Sequence, residues 1–339
     1  MAGSALLGEP PATHNDVLIY KALLMLNGTS YFPVPSESLV TDRPPDDSNS
    51  APLVAATVVL MTLVILLTAA RVWAQQYRKK RHFTFWVSNV FLFFSAMATL
   101  AYDSIVLHLY TQGCSGRHIN YCTYEDIEQM SELLIVPQCI FYFAVYCAKL
   151  SIISFLRGAV EHTVEWWNLA NAIFFGLVVF IGLWSLLSTI CTCVPVAAHF
   201  SLIVLATTDP NSYHCLPELR LQVANRTLHI ATDLCLFMFP LFLVWRVQIS
   251  WQRKILFIVP FTLGLLTVAS SIGRNVEMPE ALTDVSWNIS RVSVWDFLDI
   301  HFSAMLMSMP FIMPLIDRTV RWYRERGPDL AWRCEHQLC

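Results

Sequence analysis

Seven continuous apolar stretches follow one another along the chain, separated by more polar segments. An α-helix rises about 1.5 Å per residue, so about 20 apolar residues match a hydrocarbon core of about 30 Å. Because the stretches are continuous and do not alternate with period two, they indicate membrane helices and not the strands of a barrel. The predicted spans are Leu53–Ala74, Phe83–Tyr110, Met130–Leu156, Trp166–Thr192, Leu228–Trp245, Ile255–Ile272 and Val294–Ile316.

These spans predict an all-α fold, a polytopic bundle of seven transmembrane helices over residues 53–316. Residues 1–52 are rich in Pro, Ser and Asp and are expected to form a mobile outer tail. Residues 317–339 carry several arginines and are expected to form a basic cytoplasmic tail.

The composition supports a multi-pass membrane protein of the plasma membrane or an endomembrane. Hydrophobic residues make up 55% of the chain and charged residues only 14%, against about 25% charged in an ordinary soluble domain. The formal net charge of -3, with no large basic cluster, argues against nucleic acid as a partner and leaves the lipid bilayer as the expected one.

The loops predict the orientation of the chain. Lys and Arg concentrate in the segments on one side of the spans, including the RKKR stretch at Arg78–Arg81. The positive-inside rule places this side in the cytoplasm, with the amino terminus outside and the carboxyl terminus inside. Three glycosylation sequons, at Asn27, Asn225 and Asn288, all fall on the predicted outer side and suggest a glycoprotein.

Five cysteines lie at or beyond the predicted outer surface, where disulfides persist. We expect a Cys193–Cys215 bridge across the long loop after the fourth span and a Cys114–Cys122 bridge after the second, although sequence alone does not fix the connectivity. No cysteine pair has the spacing to a histidine pair that is typical of structural zinc, so no metal site is predicted.

Ionisable side chains inside the spans are the candidate functional groups, because charges in a bilayer are costly. They must face the bundle interior, where they would form an acidic pocket open to the outside with a basic floor. The alternative is that they are buried pairs that hold the helices together. The candidate ligand-binding residues are Asp103, Asp233, Asp296, Asp299, His301, Lys149 and Tyr146.

A retinal chromophore is not expected, because the span Val294–Ile316 contains no lysine for a Schiff base. No motif for a redox cofactor is visible either, so the sequence predicts no cofactor.

Several segments resemble the fungal rhodopsin-domain family of integral membrane proteins. The strongest similarity lies in Asn225–Arg274, and three further segments fit: "GCSGRH" after the second span, "AKLSIISFLR" at the end of the third, and "CVPVAAHF" in the cysteine loop. Asp299 stands where the family commonly carries Glu. Characteristic positions are occupied by Asp233, Pro240, Trp245, Lys254, Gly264 and Arg274.

The resemblance implies seven helices and an outer amino terminus, and it leaves two functions open. The first is a receptor-like protein that takes a small ligand from outside and acts on a cytoplasmic signalling partner. The second is a membrane-embedded enzyme of secondary-metabolite (toxin) biosynthesis that cyclises or isomerises a lipophilic intermediate. In that case Asp233, Asp299 or Asp103 would be the catalytic acid or base, with a carboxyl pKa raised by burial. Whether the protein is an enzyme stays open at this stage.

Overall fold

The computed structural model describes residues 3–26, 33–76, 83–160, 165–246, 251–277, 284, 286–309 and 312. The RKKR stretch, the Asn27 sequon and the basic tail 317–339 lie outside these residues. The orientation predicted from them therefore stays a prediction.

The described chain is almost entirely helical, with short elements only at one end of the bundle. The long helices are α3 (Ser50–Gln76), α4 (Phe83–Thr111), α5 (Tyr124–Val160), α6 (Glu165–Ile190), α9 (Glu218–Arg246), α10 (Trp251–Glu277) and α11 (residues 286–309). The short elements are α1 (His14–Met25), α2 (Ser38–Thr41), a 3₁₀ turn (Ile119–Tyr121), α7 (Ala197–Phe200), α8 (Leu202–Thr207), and the strands β1 (Cys193–Val194) and β2 (His214–Cys215).

Four helices within the described ranges are long and apolar enough to cross a membrane. They are Ser50–Trp73, Phe83–Thr111, Tyr124–Gly158 and Trp167–Ile190, which match the first four predicted spans. The protein is therefore a membrane protein. Helices α9 and α11 are of comparable length and carry buried polar groups such as Asp233 and Asp299. That they also span the bilayer remains a prediction.

Helix α5 runs through the middle of the hydrophobic core. Its side chains Phe141, Tyr142 and Val145 are almost completely buried, in one core cluster with residues of α3, α4, α6, α9 and α11. In contrast, α3 and α6 expose large apolar side chains, with Val59 65% and Phe180 66% exposed. Such faces suit acyl chains, because lipid is as apolar as the side chains themselves.

The amino-terminal segment differs from the mobile tail that its composition suggested. Helix α1 begins with a capping box between Thr13 and Asp16, and its buried residues Ile19 and Leu23 share a cluster with residues of α8 and the α4–α5 connection. The carboxylate of Asp16 also accepts hydrogen bonds from the Ser4 hydroxyl and from backbone N–H groups. The apolar face of α1 thus has a partner that composition alone did not reveal.

Both predicted disulfides are present. Cys193 and Cys215 pair in register in the two-stranded β1–β2 hairpin, and their sulfurs are bonded. Cys114 and Cys122 close a shorter loop around the 3₁₀ turn. The two bridges lie at the same end of the bundle as α1, so this end is covered by cross-linked chain.

One residue of the predicted glycosylation sites is buried in the folded chain. Asn225 is 1% exposed, and its Nδ2 donates a hydrogen bond to the Ser188 hydroxyl at 2.9 Å. A glycan would have to attach to that same nitrogen, and modification of Asn225 stays a prediction. Asn288 is half-buried in α11, and its modification stays a prediction.

Candidate functional site

A cavity of about 660 Å³ opens at the end of the bundle that carries the disulfides. Its size falls in the range of pockets that enclose a small organic ligand, roughly 300–1,000 Å³. Apolar side chains from α4 and α5, including Tyr102, Val106 and Phe141, form much of its wall. The disulfide of Cys193 and Cys215 lines the cavity from the hairpin side.

An ion pair between α10 and α11 lies at the cavity wall. The Arg274 guanidinium pairs with the Asp296 carboxylate, and both residues line the cavity. The Arg274 Cζ atom lies 4.6 Å from the centre of the Phe141 ring, a cation–π contact that helps to hold this 3% exposed side chain. A second guanidinium, that of Arg226 on α9, lines the same cavity and donates to Gln222.

An imidazole also lines the cavity, and it is neutral at pH 7. His199 lines the cavity from α7, and burial lowers its pKa below the ordinary value of 6.5. The cavity therefore combines apolar walls with two guanidinium groups and one carboxylate.

A second polar cluster joins α5, α9, α10 and α11. The Lys149 ammonium lies 3.0 Å from Asp233 Oδ1 and donates to the Thr232 hydroxyl at 2.7 Å and to His229 Nδ1 at 2.9 Å. Lys149 is 2% exposed and Asp233 7% exposed. Removing either partner would leave a buried charge uncompensated, so the pair constrains how α5 and α9 pack.

The contacts of His229 fix its tautomer. An ammonium group can only donate, so Nδ1 of His229 accepts from Lys149. The proton of the neutral ring is therefore on Nε2, which donates to Asp299 Oδ2 at 3.0 Å. The Ser271 hydroxyl donates to the same oxygen at 2.8 Å. Asp299 on α11 is thereby bonded to both α9 and α10.

Asp103 and His301 form a separate pair between α4 and α11, and both side chains are fully buried. His301 Nδ1 lies 2.7 Å from the Phe297 carbonyl oxygen, so Nδ1 carries a proton. His301 Nε2 faces Asp103 Oδ2 at 3.3 Å.

The structure separates the candidate residues that the sequence grouped into one pocket. Asp296 lines the cavity, whereas Asp233, Asp299 and Lys149 do not. Lys149 pairs with Asp233, and His229 links both carboxylates. Tyr146 lies beside this cluster, with its ring centre 5.2 Å from the Lys149 ammonium and its hydroxyl 3.4 Å from that of Ser185.

The sequence suggested no site role for several residues of these two groups, among them Arg226, His229, Ser271 and Arg274. His229 carried a usable signal, because it stands one helical turn before Asp233 and therefore on the same face of α9. Its partner Asp299 is 70 positions away in sequence, so no local spacing could reveal that contact.

Comparisons with known proteins agree with the fold. One relative is "Fugralins biosynthesis cluster protein 2" of Gibberella zeae, 26% identical over 103 residues, which cover 30% of this chain and 25% of the relative. The chain thus matches about a quarter of that protein's length. No solved structure matches the chain. The profile of the fungal rhodopsin domain matches residues 70–318, most of the chain, so this protein belongs to the fungal rhodopsin domain family.

Proposed function

We propose that this protein is a receptor-like membrane protein that binds a small ligand in the cavity at the disulfide-bridged end of its bundle. The proposal rests on the positions of two neighbouring groups of charged side chains. The Arg274–Asp296 pair meets the cavity, and the Lys149–Asp233 and His229–Asp299 contacts lie next to it without access to the cavity.

The two groups share helix α11, so a ligand that binds at one group can change the helix packing at the other. Asp296 and Asp299 are three residues apart on α11 and therefore lie on one face, about a turn apart. A ligand group that competes for Arg274 or Asp296 changes the position of α11. That shift strains the Asp299 contacts to His229 and Ser271, which hold α11 to α9 and α10. A ligand shifts the equilibrium only by its differential affinity for the two arrangements.

The proposed topology follows the loop charges. All seven predicted spans would cross the bilayer, with the disulfides and cavity outside and the RKKR stretch in the cytoplasm. This orientation puts the cavity where an external ligand can enter and puts both disulfides in an oxidising compartment.

A membrane-embedded enzyme of secondary metabolism is the second candidate, favoured by the biosynthesis-cluster name of the relative. In that case we propose Asp296, which lines the cavity, as the acid–base residue. Asp103, Asp233 and Asp299, the carboxylates that the sequence suggested, are not among the described residues that line the cavity. A general acid or base must come within hydrogen-bonding reach of the proton that it transfers.

A mass-balance experiment separates the two functions. The full chain is purified in lipid nanodiscs from its source cells, and the lipophilic compounds that co-purify are extracted and identified by mass spectrometry. Each compound is then returned to fresh nanodiscs and recovered. A receptor returns the compound unchanged, whereas an enzyme converts it into a product over repeated turnovers.

The matched controls change the cavity and the lipid-facing surface separately. Ser131→Trp fills the cavity from α5, and Val59→Trp adds the same side chain to the exposed face of α3. We expect the cavity variant to lose the bound compound and the surface variant to retain it. Equal retention by both variants in folded protein would contradict a binding role for the cavity.

A further inference from the structure

Three side chains from α9 and α11 place potential metal ligands close together. One ligand atom each from His229, Asp233 and Asp299 lies within 4.8 Å of the other two. His229 Nε2 is 3.0 Å from Asp299 Oδ2 and 3.2 Å from Asp233 Oδ2. Ligand atoms that share a tetrahedral zinc ion at about 2.0–2.1 Å are separated by about 3.3 Å. The two nitrogen–oxygen distances are close to that separation.

Each carboxylate also has an oxygen without a hydrogen-bond donor among the described residues. Asp233 Oδ2 and Asp299 Oδ1 are buried and accept no hydrogen bond within the described structure. Asp233 is 7% exposed and Asp299 1% exposed. A buried carboxylate oxygen without a donor is costly, and a bound cation would remove that cost.

The charges of the cluster point the same way. Its carboxylates are Asp233 and Asp299 and its cation is Lys149, while His229 is neutral by its tautomer and the neighbouring Arg274–Asp296 pair has no net charge. One negative charge is therefore in excess among buried groups in a bilayer, where an uncompensated charge is unfavourable.

We propose that His229, Asp233 and Asp299 form a binding site for a divalent transition-metal ion such as Zn²⁺. His229 would bind the ion through Nε2, and each carboxylate would supply one oxygen. This ligand set suits Zn²⁺ better than Mg²⁺ or Ca²⁺. For Nε2 to bind the ion, the ring proton moves to Nδ1 and donates to Lys149, which releases one proton to solvent. This exchange of one charge for two neutralises the excess.

The neighbouring groups support these ligands from the other side. Lys149 contacts Oδ1 of Asp233 and Nδ1 of His229, the atoms that face away from the proposed ion. The Ser271 hydroxyl donates to Asp299. Such outer hydrogen bonds orient ligating side chains in metal sites. Because its ligands come from α9 and α11, the ion would cross-link these helices directly, whether or not the cavity holds an organic ligand.

The test measures metal content and coordination in the full chain. Protein in nanodiscs is stripped with a chelator, equilibrated with Zn²⁺ and analysed by elemental mass spectrometry. We expect about one tightly held ion per chain. His229→Gln and Asp299→Asn should abolish it, and Ser271→Ala should weaken binding by about 10-fold or more. His301→Gln, which changes another fully buried histidine, should retain the ion.

Cobalt provides a readout that does not depend on the variants. Co²⁺ in the wild-type site should give visible absorption bands of a low-coordinate ion with nitrogen and oxygen ligands, and Zn²⁺ should displace it. Wild-type protein that holds no ion and shows no such bands would overturn the proposal even if His229→Gln fails to fold. Equal loss of metal in folded His229→Gln and His301→Gln would overturn it as well.

Discussion

Two buried cations lie on different sides of α5, and they are held in different ways. Lys149 belongs to α5 and faces α9, where a carboxylate accepts its charge. Arg71, on α3, contacts Ser151, two residues further along α5. Residues two apart on a helix point to different sides. Arg71 is fully buried, and its described acceptors are the Met307 carbonyl oxygen and neutral side chains of α4 and α5.

This difference separates a fixed contact from an exchangeable one. The described acceptors of Arg71 are uncharged at every pH, so these contacts between α3, α4, α5 and α11 do not depend on protonation. The carboxylates around Lys149 respond to any cation that competes for them. We therefore assign the stable framework to the Arg71 side of α5 and the ligand- and ion-dependent packing to the Lys149 side.

The largest expected effect comes from removing the Lys149 charge. Lys149→Met leaves Asp233 buried without its cation, and loss of one partner of a buried ion pair costs about 3–5 kcal/mol. We expect a much lower free energy of unfolding, measured by denaturant titration of protein in detergent micelles. Val59→Met, on the lipid-facing side of α3, is the control and should unfold like wild type.

Removing Arg71 should cost less. In Arg71→Met the Met307 carbonyl loses a donor, but the Ser88 and Ser151 hydroxyls still donate to each other's backbone carbonyls at 2.8 Å. We expect a loss of about 1–3 kcal/mol in the free energy of unfolding. A loss larger than that of Lys149→Met would reverse the distinction between the two sides of α5.

The smallest expected effect concerns Asp16, outside the spans. Burial alone would raise the pKa of Asp16, but hydrogen bonds from Ala5, Ser4 and Thr13 lower it below the ordinary 3.8. The stabilisation is therefore complete above that value and is lost as pH falls through the lower pKa of the folded chain. Asp16→Asn should cost about 1 kcal/mol at pH 7.

The control for Asp16 is the pH dependence itself. The difference in unfolding free energy between wild type and Asp16→Asn should shrink as the pH approaches 3. A difference that stays constant from pH 7 to pH 3 would show that the carboxylate charge contributes nothing. This contribution belongs to α1, so it should be independent of Lys149 and Arg71.

The apolar helices could be predicted because a lipid-facing surface leaves a strong local pattern. Helix α6 shows this best, since its exposed residues, such as Phe180, are as apolar as its buried ones. The docking of α1 was missed, although Thr13 and Asp16 carry the spacing of a capping box. Composition drew attention to the polar residues of this segment and away from Ile19 and Leu23.

The candidate site was predictable in its residue types but not in its pairings. Asp233, Asp299 and Lys149 are buried, as expected for charged groups within spans, and their roles in a site stay predictions. Which of them meets the cavity depends on helix rotation and on contacts between distant segments. Asp296 reaches the cavity while Asp299, a turn away, bonds to His229. No periodicity within α11 distinguishes the two.

The most direct test is the coupling energy between Lys149 and Asp233. Unfolding free energies are measured for wild type, Lys149→Met, Asp233→Asn and the double variant in identical micelles. We predict that the double variant is more stable than the sum of the single losses implies, by at least about 1 kcal/mol, because it leaves no unpaired charge. Losses that add to within about 0.3–0.5 kcal/mol would contradict a buried contact between α5 and α9.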